Sequence, residues 1–166
     1  MLEFDLSPLI GVRPGESLTF LVDEGPQRLD DVSVEFLRGT LHFTRVQGGI
    51  LVEGALETRI EVECVRCLES FSLPATLEIE EVIGLGGRPR EGITYSLTVE
   101  GWFNAAPVVR EQVWVSIPIK PLCRPDCQGL CPVCGQNLNR AACQCHPGPV
   151  DPRWAALASF LTGEKG

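Results

Sequence analysis

Eight cysteines, at positions 64, 67, 123, 127, 131, 134, 143 and 145, constrain this chain more than any other feature of its sequence. Spread over 166 residues, they fall below the density of a small disulfide scaffold. A chain of this length buries roughly 69% of its extended surface on folding, so it requires no covalent staples. The thiols come in close pairs. Cys64-Val-Arg-Cys67 is one CxxC, and Cys131-Pro-Val-Cys134 is another, followed directly by Gly135. Cys-Pro-x-Cys-Gly is the turn of a zinc knuckle: proline sets φ before the turn, and glycine relieves the backbone where successive N–H groups fold back on the second sulfur. Cys143-Gln-Cys145 offers two more sulfurs after eight intervening residues, and Cys123-Arg-Pro-Asp-Cys127 has a spacing reachable from one turn of chain.

Eight sulfurs suggest two four-thiolate sites, and loop closure favours one partition. Cys131, Cys134, Cys143 and Cys145 close a local site within 15 residues, leaving Cys123 and Cys127 to meet Cys64 and Cys67 across the fold. The rival partition groups Cys123, Cys127, Cys131 and Cys134 and leaves Cys64 and Cys67 with Cys143 and Cys145. Four thiolates with no open position match structural zinc, so two structural Zn²⁺ ions are expected, although a single iron accepts the same sulfurs. A site of this kind contributes an apparent free energy on the order of 10–16 kcal/mol at neutral pH, enough to decide whether its segment folds. Buried apolar thiols or a redox pair are the plain alternative, and His146, next to Cys145, reads as a solvated loop residue that stands near enough to substitute as a ligand.

With 44% hydrophobic and 22% charged residues the composition is that of a globular protein. No apolar run reaches the 18 residues or so of a membrane span. The start, Met1-Leu2-Glu3-Phe4-Asp5, is acidic and unlike a signal peptide, so a cytosolic address is expected. Residues 1–100 carry 8 Arg against 18 Asp and Glu, a net of −10, whereas residues 101–166 carry 6 Lys and Arg against 4 acids, a net of +2. Generic nucleic-acid binding gains nothing from the first part. Only the last third can offer a basic face.

Three segments are expected, in an α+β, mostly β chain: an antiparallel β-rich domain at 1–117 carrying the first CxxC, a cysteine-rich metal-binding segment at 118–150, and a C-terminal helix at 151–166 docking on the core. Residues 32–46 alternate in the manner of a strand, Gln47-Gly48-Gly49 turns the chain, and residues 50–63 return, with Ile60 and Val62 alternating with Glu61 and Glu63. Residues 71–83 form the next strand, so Cys64 and Cys67 sit at a hairpin tip. Residues 84–92 read as a loop and 94–99 as a short strand. Pro107 to Val115 reads as a helix with proline in its first turn, although its valines also suit a strand. The chain ends on Asp151 as N-cap, Pro152 at the first helical position, and a stripe of Trp154, Leu157, Ala158 and Leu161.

These motifs together resemble a known family. The run Cys-Val-Arg-Cys-Leu-Glu-Ser-Phe at 64–71, Pro-Ile-Lys-Pro-Leu-Cys at 118–123, Asp-Cys-Gln-Gly-Leu-Cys-Pro-Val-Cys-Gly-Gln-Asn-Leu-Asn at 126–139 and the closing Asp-Pro-Arg-Trp-Ala-Ala-Leu-Ala-Ser-Phe-Leu at 151–161 are similar to those of the YceD-like proteins, the large ribosomal RNA subunit accumulation proteins of bacteria and plastids. The resemblance implies a role in 23S rRNA accumulation and large-subunit biogenesis, with zinc as the ion and no enzymatic activity. It also implies that the 64/67 pair is the general motif and that the 127–145 cluster marks one branch.

The residues agree with a non-enzyme. His42 and His146 are the two histidines, there is no nucleophile elbow or P-loop, and Gly84-Leu-Gly-Gly87 lacks a phosphate-binding lysine. A catalytic zinc would keep an open position. Two ways of working remain. Lys120, Arg124, Arg140 and Arg153 can contact ribosomal RNA phosphates, with Asn137 and Asn139 adding polar contacts. Alternatively Glu57, Glu61, Glu63, Glu78 and Glu80 can bind a basic large-subunit ribosomal protein, making the chain an adaptor. A thiol and zinc redox sensor is a third reading. No membrane and no small-molecule substrate are expected.

Overall fold

The computed structural model describes residues 2–86, 92–146 and 152–154. Three long strands dominate it: β4 (Val32–Val46), β5 (Gly49–Glu63) and β6 (Ser70–Gly84) form an antiparallel meander. β2 (Ser17–Glu24) and β3 (Gln27–Leu29) both pair with β4. The short β7 (Tyr95–Ser96) lies parallel to the end of β6, giving a six-stranded sheet in the order β2-β4-β5-β6-β7, with β3 beside β4. A separate two-stranded ladder joins β1 (Glu3–Asp5) to β8 (Trp102–Asn104).

The alternation expected on β5 is what the sheet uses. Val52, Leu56 and Ile60 are buried, while Glu53, Glu57 and Glu61 are exposed. The inner face packs on Phe4, Phe20, Phe43 and Phe103, whose rings meet at centroid distances of 5.2 to 6.2 Å, a spacing typical of favourable edge and tilted contacts. Gly54 allows β4 and β5 to close up, because a Cβ there would run into the Thr40 carbonyl. Between Val34 and Leu37 the ladder slips at a bulge. Thr58, the one buried polar side chain among the described residues, donates its hydroxyl to the Phe36 carbonyl there. Pro74 is tolerated in β6 because only β5 pairs with it at that point; β7 reaches no farther than Ile83 and Gly84.

Helix α1 (Ala106–Ser116) settles the choice between helix and strand at 107–115. Pro107 occupies its first turn, where a missing N–H costs nothing, and the Asn104 side chain accepts from the Ala106 N–H at 2.9 Å. Val108, Val109 and Val113 face the core, so burial outweighs the modest helix penalty of β-branched residues. A double hydrogen bond from Arg110 to Asp31, at 2.6 and 2.7 Å, ties the helix to the turn before β4. Among the described residues the architecture is thus mostly β with one α-helix, followed by the cysteine-rich segment. The helix expected from Asp151 lies outside the described residues, apart from a single 3₁₀ turn at Pro152–Trp154.

Candidate metal centre

Cys64 and Cys67 stand on the tight turn between β5 and β6. The ladder runs on through the Cys64 N–H, which donates to Glu69 O at 3.0 Å, and the turn closes when the Leu68 N–H donates to Cys64 O at 2.9 Å. The following segment returns to this tip. Val65 N–H donates to Pro121 O at 3.0 Å, Leu130 N–H to Arg66 O at 3.1 Å, and Arg66 Nη1 to Cys127 O at 2.8 Å. These bonds deliver Cys123 and Cys127 to the tip. Cys64 Sγ lies 3.7 Å from Cys127 Sγ, and Cys67 Sγ lies 3.7 Å from Cys123 Sγ. Phe71 and Leu122 pack around the group as a small apolar cluster separate from the main core.

The second group is local. Cys131 N–H donates to Gln136 O at 2.8 Å and Gly135 N–H to Cys131 O at 2.9 Å, with Gly135 at φ +73°; this is the knuckle turn that the Cys-Pro-x-Cys-Gly order implies. The Val133 N–H points at Cys131 Sγ from 3.4 Å. In each of the two groups, Cys64/Cys67/Cys123/Cys127 and Cys131/Cys134/Cys143/Cys145, all four sulfurs lie within 4.8 Å of one another. The structure therefore gathers the sulfurs by the local-plus-distant partition rather than its rival.

Does this donor set suit a metal ion? A tetrahedron with Zn–S bonds of 2.3 Å has sulfur–sulfur edges of about 3.8 Å, close to the 3.7 Å seen at the hairpin tip. Electrostatics agree. Burial pushes the Cys64 thiol up, but N–H groups of Cys123, Cys67 and Arg66 turned on its sulfur outweigh it and bring it down to about 6. Burial and the neighbouring sulfurs of Cys67, Cys127 and Cys64 push Cys123 up to about 12. In the second group the N–H groups of Cys134 and Val133 bring Cys131 down to about 6, while the Cys134 sulfur and burial push Cys145 up to about 12. Sulfurs this close cannot all ionise unaided, and a dication at their centre removes the conflict. Both tetrads can hold a metal ion.

Gly129 closes the link between the groups. It sits at φ +73°, and a Cβ there would lie 3.0 Å from Arg66 O and 3.3 Å from Arg66 Cβ. Gly129→Ala is expected to cost about 1–2 kcal/mol in left-handed backbone strain, with further loss as the Leu130–Arg66 bond gives way. A lowered midpoint in denaturant-induced release of metal checks this.

The cationic candidates fall in different surroundings. Lys120 is exposed. Arg140 pairs with Glu69, and Arg124 lies 3.6 Å from Asp126 and donates to Asn139 Oδ1 at 2.7 Å. Arg153 is exposed on the 3₁₀ turn. Asn137 and Asn139, read from sequence as polar contacts for RNA, instead turn inward and bond each other, the Asn139 N–H donating to Asn137 Oδ1 at 2.9 Å. His146 is exposed and joins neither sulfur group. His42 lies on the outer face of β4, bonded to Thr19 Oγ1 at 2.9 Å. Sequence reasoning missed Arg66 and Asn139 as the residues that brace the sulfurs.

The model of the family described as large ribosomal RNA subunit accumulation protein YceD matches residues 52–161, which include both tetrads. An uncharacterized protein of Mycobacterium tuberculosis is 30% identical over 128 residues, 75% of this chain and 61% of its own length. The proteins named large ribosomal RNA subunit accumulation protein YCED homolog 1, chloroplastic, of Zea mays and Arabidopsis thaliana are 30% and 28% identical over 139 residues, covering 64% and 66% of this chain and 47% and 43% of their own lengths. The chain thus spans less than two thirds of the length of the mycobacterial relative and about half of the plant ones. No solved structure matches it. The chain belongs to the YceD family of large ribosomal RNA subunit accumulation proteins.

Proposed function

We propose that this protein is a non-enzymatic zinc protein of the cytoplasm that promotes accumulation of 23S rRNA and so biogenesis of the large ribosomal subunit. The observation that carries this reading is the family match across residues 52–161, which takes in all eight cysteines. Both tetrads offer four thiolates, a set that closes the coordination shell and leaves no position for a substrate. Zinc in these two sites holds the proline-rich segment against the hairpin tip; when bound, it supplies structure and not a reacting centre. No helix among the described residues is long and apolar enough to cross a membrane.

Two modes of action serve this role. In the first, Lys120, Arg124, Arg140 and Arg153 contact RNA phosphates. Arg140 and Arg124 would then exchange Glu69 and Asp126 for phosphate, and each zinc held by four thiolates adds a net −2 nearby, so this mode binds modestly and is strongly salt-dependent. A specific observation favours the second. Glu53, Glu57, Glu61, Glu63, Glu78 and Glu80 are all exposed along β5 and β6, and Glu53 stands directly opposite Glu80. Like charges opposed across a ladder destabilise the free sheet, a cost that a basic partner relieves. The second mode is therefore an adaptor for a basic large-subunit protein. Titrating the zinc-loaded protein against 23S rRNA fragments and against basic large-subunit proteins, each at two salt concentrations, tests the reading. Binding to the proteins that Glu53→Gln/Glu80→Gln weakens supports the adaptor, RNA binding that Lys120→Ala weakens supports the direct mode, and binding to neither overturns both.

A further inference from the structure

Asn139 lies inside the second sulfur loop, five residues after Cys134 and four before Cys143, yet its side chain serves the first site. Asn139 Nδ2 donates to Cys127 Sγ at 3.3 Å and to Asn137 Oδ1 at 3.0 Å. Asn139 Oδ1 accepts from the Gln128 N–H at 2.8 Å and from Arg124 Nη2 at 2.7 Å. The neighbouring Leu138 N–H donates to Gly129 O at 2.9 Å. The amide is thereby fixed against the chain on both flanks of Cys127, with its N–H directed at a metal-ligating sulfur.

From this arrangement we infer that Asn139 couples the two sulfur sites, so that closing the second site with metal raises the affinity of the first. The inference rests on the reading that both tetrads hold metal, and adds an order and a mechanism to it. A cation held by Cys131, Cys134, Cys143 and Cys145 pins both ends of the loop that carries Asn139. The amide is then already in place when Cys127 becomes a thiolate ligand. Without that cation the loop ends are free, and positioning the amide costs loop entropy at the moment the first site binds. An N–H donated to a ligating sulfur stabilises the thiolate and orients it, and outer groups of this kind typically change metal affinity about 10- to 100-fold. Coupling of binding free energies is reciprocal, so metal in the first site strengthens the second by the same factor. Two residues beyond Cys127, Gly129 and Leu130 carry the same link through the backbone, but the amide is the only side chain among the described residues that the structure bonds to a sulfur of one site from the loop of the other.

The test uses the full chain, zinc, and a chelator of graded strength, with the occupancy of each site read by alkylation of its cysteines and mass spectrometry. Cys134→Ser/Cys145→Ser removes the second site, and the zinc affinity of the first is expected to fall about 10- to 100-fold. Asn139→Ala in the otherwise intact chain should produce a similar fall. Asn139→Asp keeps the acceptor for Gln128 and Arg124 but loses both Nδ2 bonds and sets a carboxylate beside the thiolates, so first-site affinity should fall at least as far as in Asn139→Ala, and unchanged affinity there overturns a role for the bond with sulfur. Adding Asn139→Ala to the Cys134→Ser/Cys145→Ser chain should cost little more, because the two changes remove one interaction. An unchanged first-site affinity in Cys134→Ser/Cys145→Ser, or full additivity of the two changes, overturns the coupling while leaving two metal sites standing. Wild-type chain that takes up no zinc overturns the reading beneath it and the coupling with it.

Discussion

Replacing Cys64 and Cys67 together by serine is expected to remove one metal equivalent per chain and to free residues 118–130 from the tip of the β5–β6 hairpin, while the sheet itself stays folded. The first half follows from the tetrad, since two of four sulfurs cannot enclose the ion. The second follows from what else holds that segment. Its attachments are the Val65–Pro121, Leu130–Arg66 and Arg66–Cys127 hydrogen bonds and the small cluster around Phe71 and Leu122. Each hydrogen bond is worth only about 0.5–1.5 kcal/mol net, too little to order a stretch of this length against its conformational entropy. The main core is a separate cluster, built from Phe43, Leu56, Ile60, Val109 and their neighbours, and it shares no residue with the sulfur group. Metal analysis of the purified variant gives the stoichiometry, and amide exchange at Val65, Cys127 and Leu130 gives the order of the segment. A variant that keeps its full metal content sinks the first site, and one that loses metal while those amides stay protected shows that hydrogen bonds and packing suffice.

What could be read from the sequence depended on the range of the interaction. The β4–β5–β6 meander was legible because turns and alternating residues specify it locally, and the cysteine partition because one site closes within a short loop and leaves the other four sulfurs to meet; the expected strand at 32–46 coincides with β4, and the hairpin tip falls where Cys64-Val-Arg-Cys67 placed it. Two features were not legible. β1 pairs with β8 across almost the whole domain, and nothing in three residues such as Glu3–Asp5 announces a partner so far away. Asn139 looked like an exposed polar residue because asparagine is common in loops, and only the closing of residues 137–139 on the 124–129 stretch puts the Cys127 sulfur within its reach. Arg124 and Arg140 illustrate the same point: a cation count from sequence does not show that Asp126 and Glu69 stand beside them.

Acidification should strip the metals steeply, and the metal-free and metal-loaded proteins should respond to pH in different ways. With the segment docked and no metal bound, Cys64, Cys127 and Cys131 are held low, the first and last at about 6. A thiol depressed below its unfolded value of about 8.5 adds stability that is complete above that value and disappears as pH falls through the folded one. Cys67, Cys123, Cys143 and Cys145 are shifted upward, Cys123 and Cys145 to about 12. A raised thiol adds stability that is complete below about 8.5 and is lost as pH rises towards the folded value. Docking of the segment without metal is therefore expected to be most favourable near pH 8–9, falling away on both sides. Metal changes the alkaline side, because the dication takes up the charge that the raised thiols resist. At pH 7 each tetrad must expel at least the protons of its two raised thiols to bind, so affinity should fall by at least about 100-fold per pH unit below neutrality, and more steeply once Cys64 and Cys131 also take up protons. Thermal unfolding from pH 5 to pH 10, with and without a strong chelator, reads both effects. The gap in melting temperature between the two forms should widen as pH rises; a constant gap would show that binding displaces no protons, and coincident curves would show that these sulfurs bind no metal in solution.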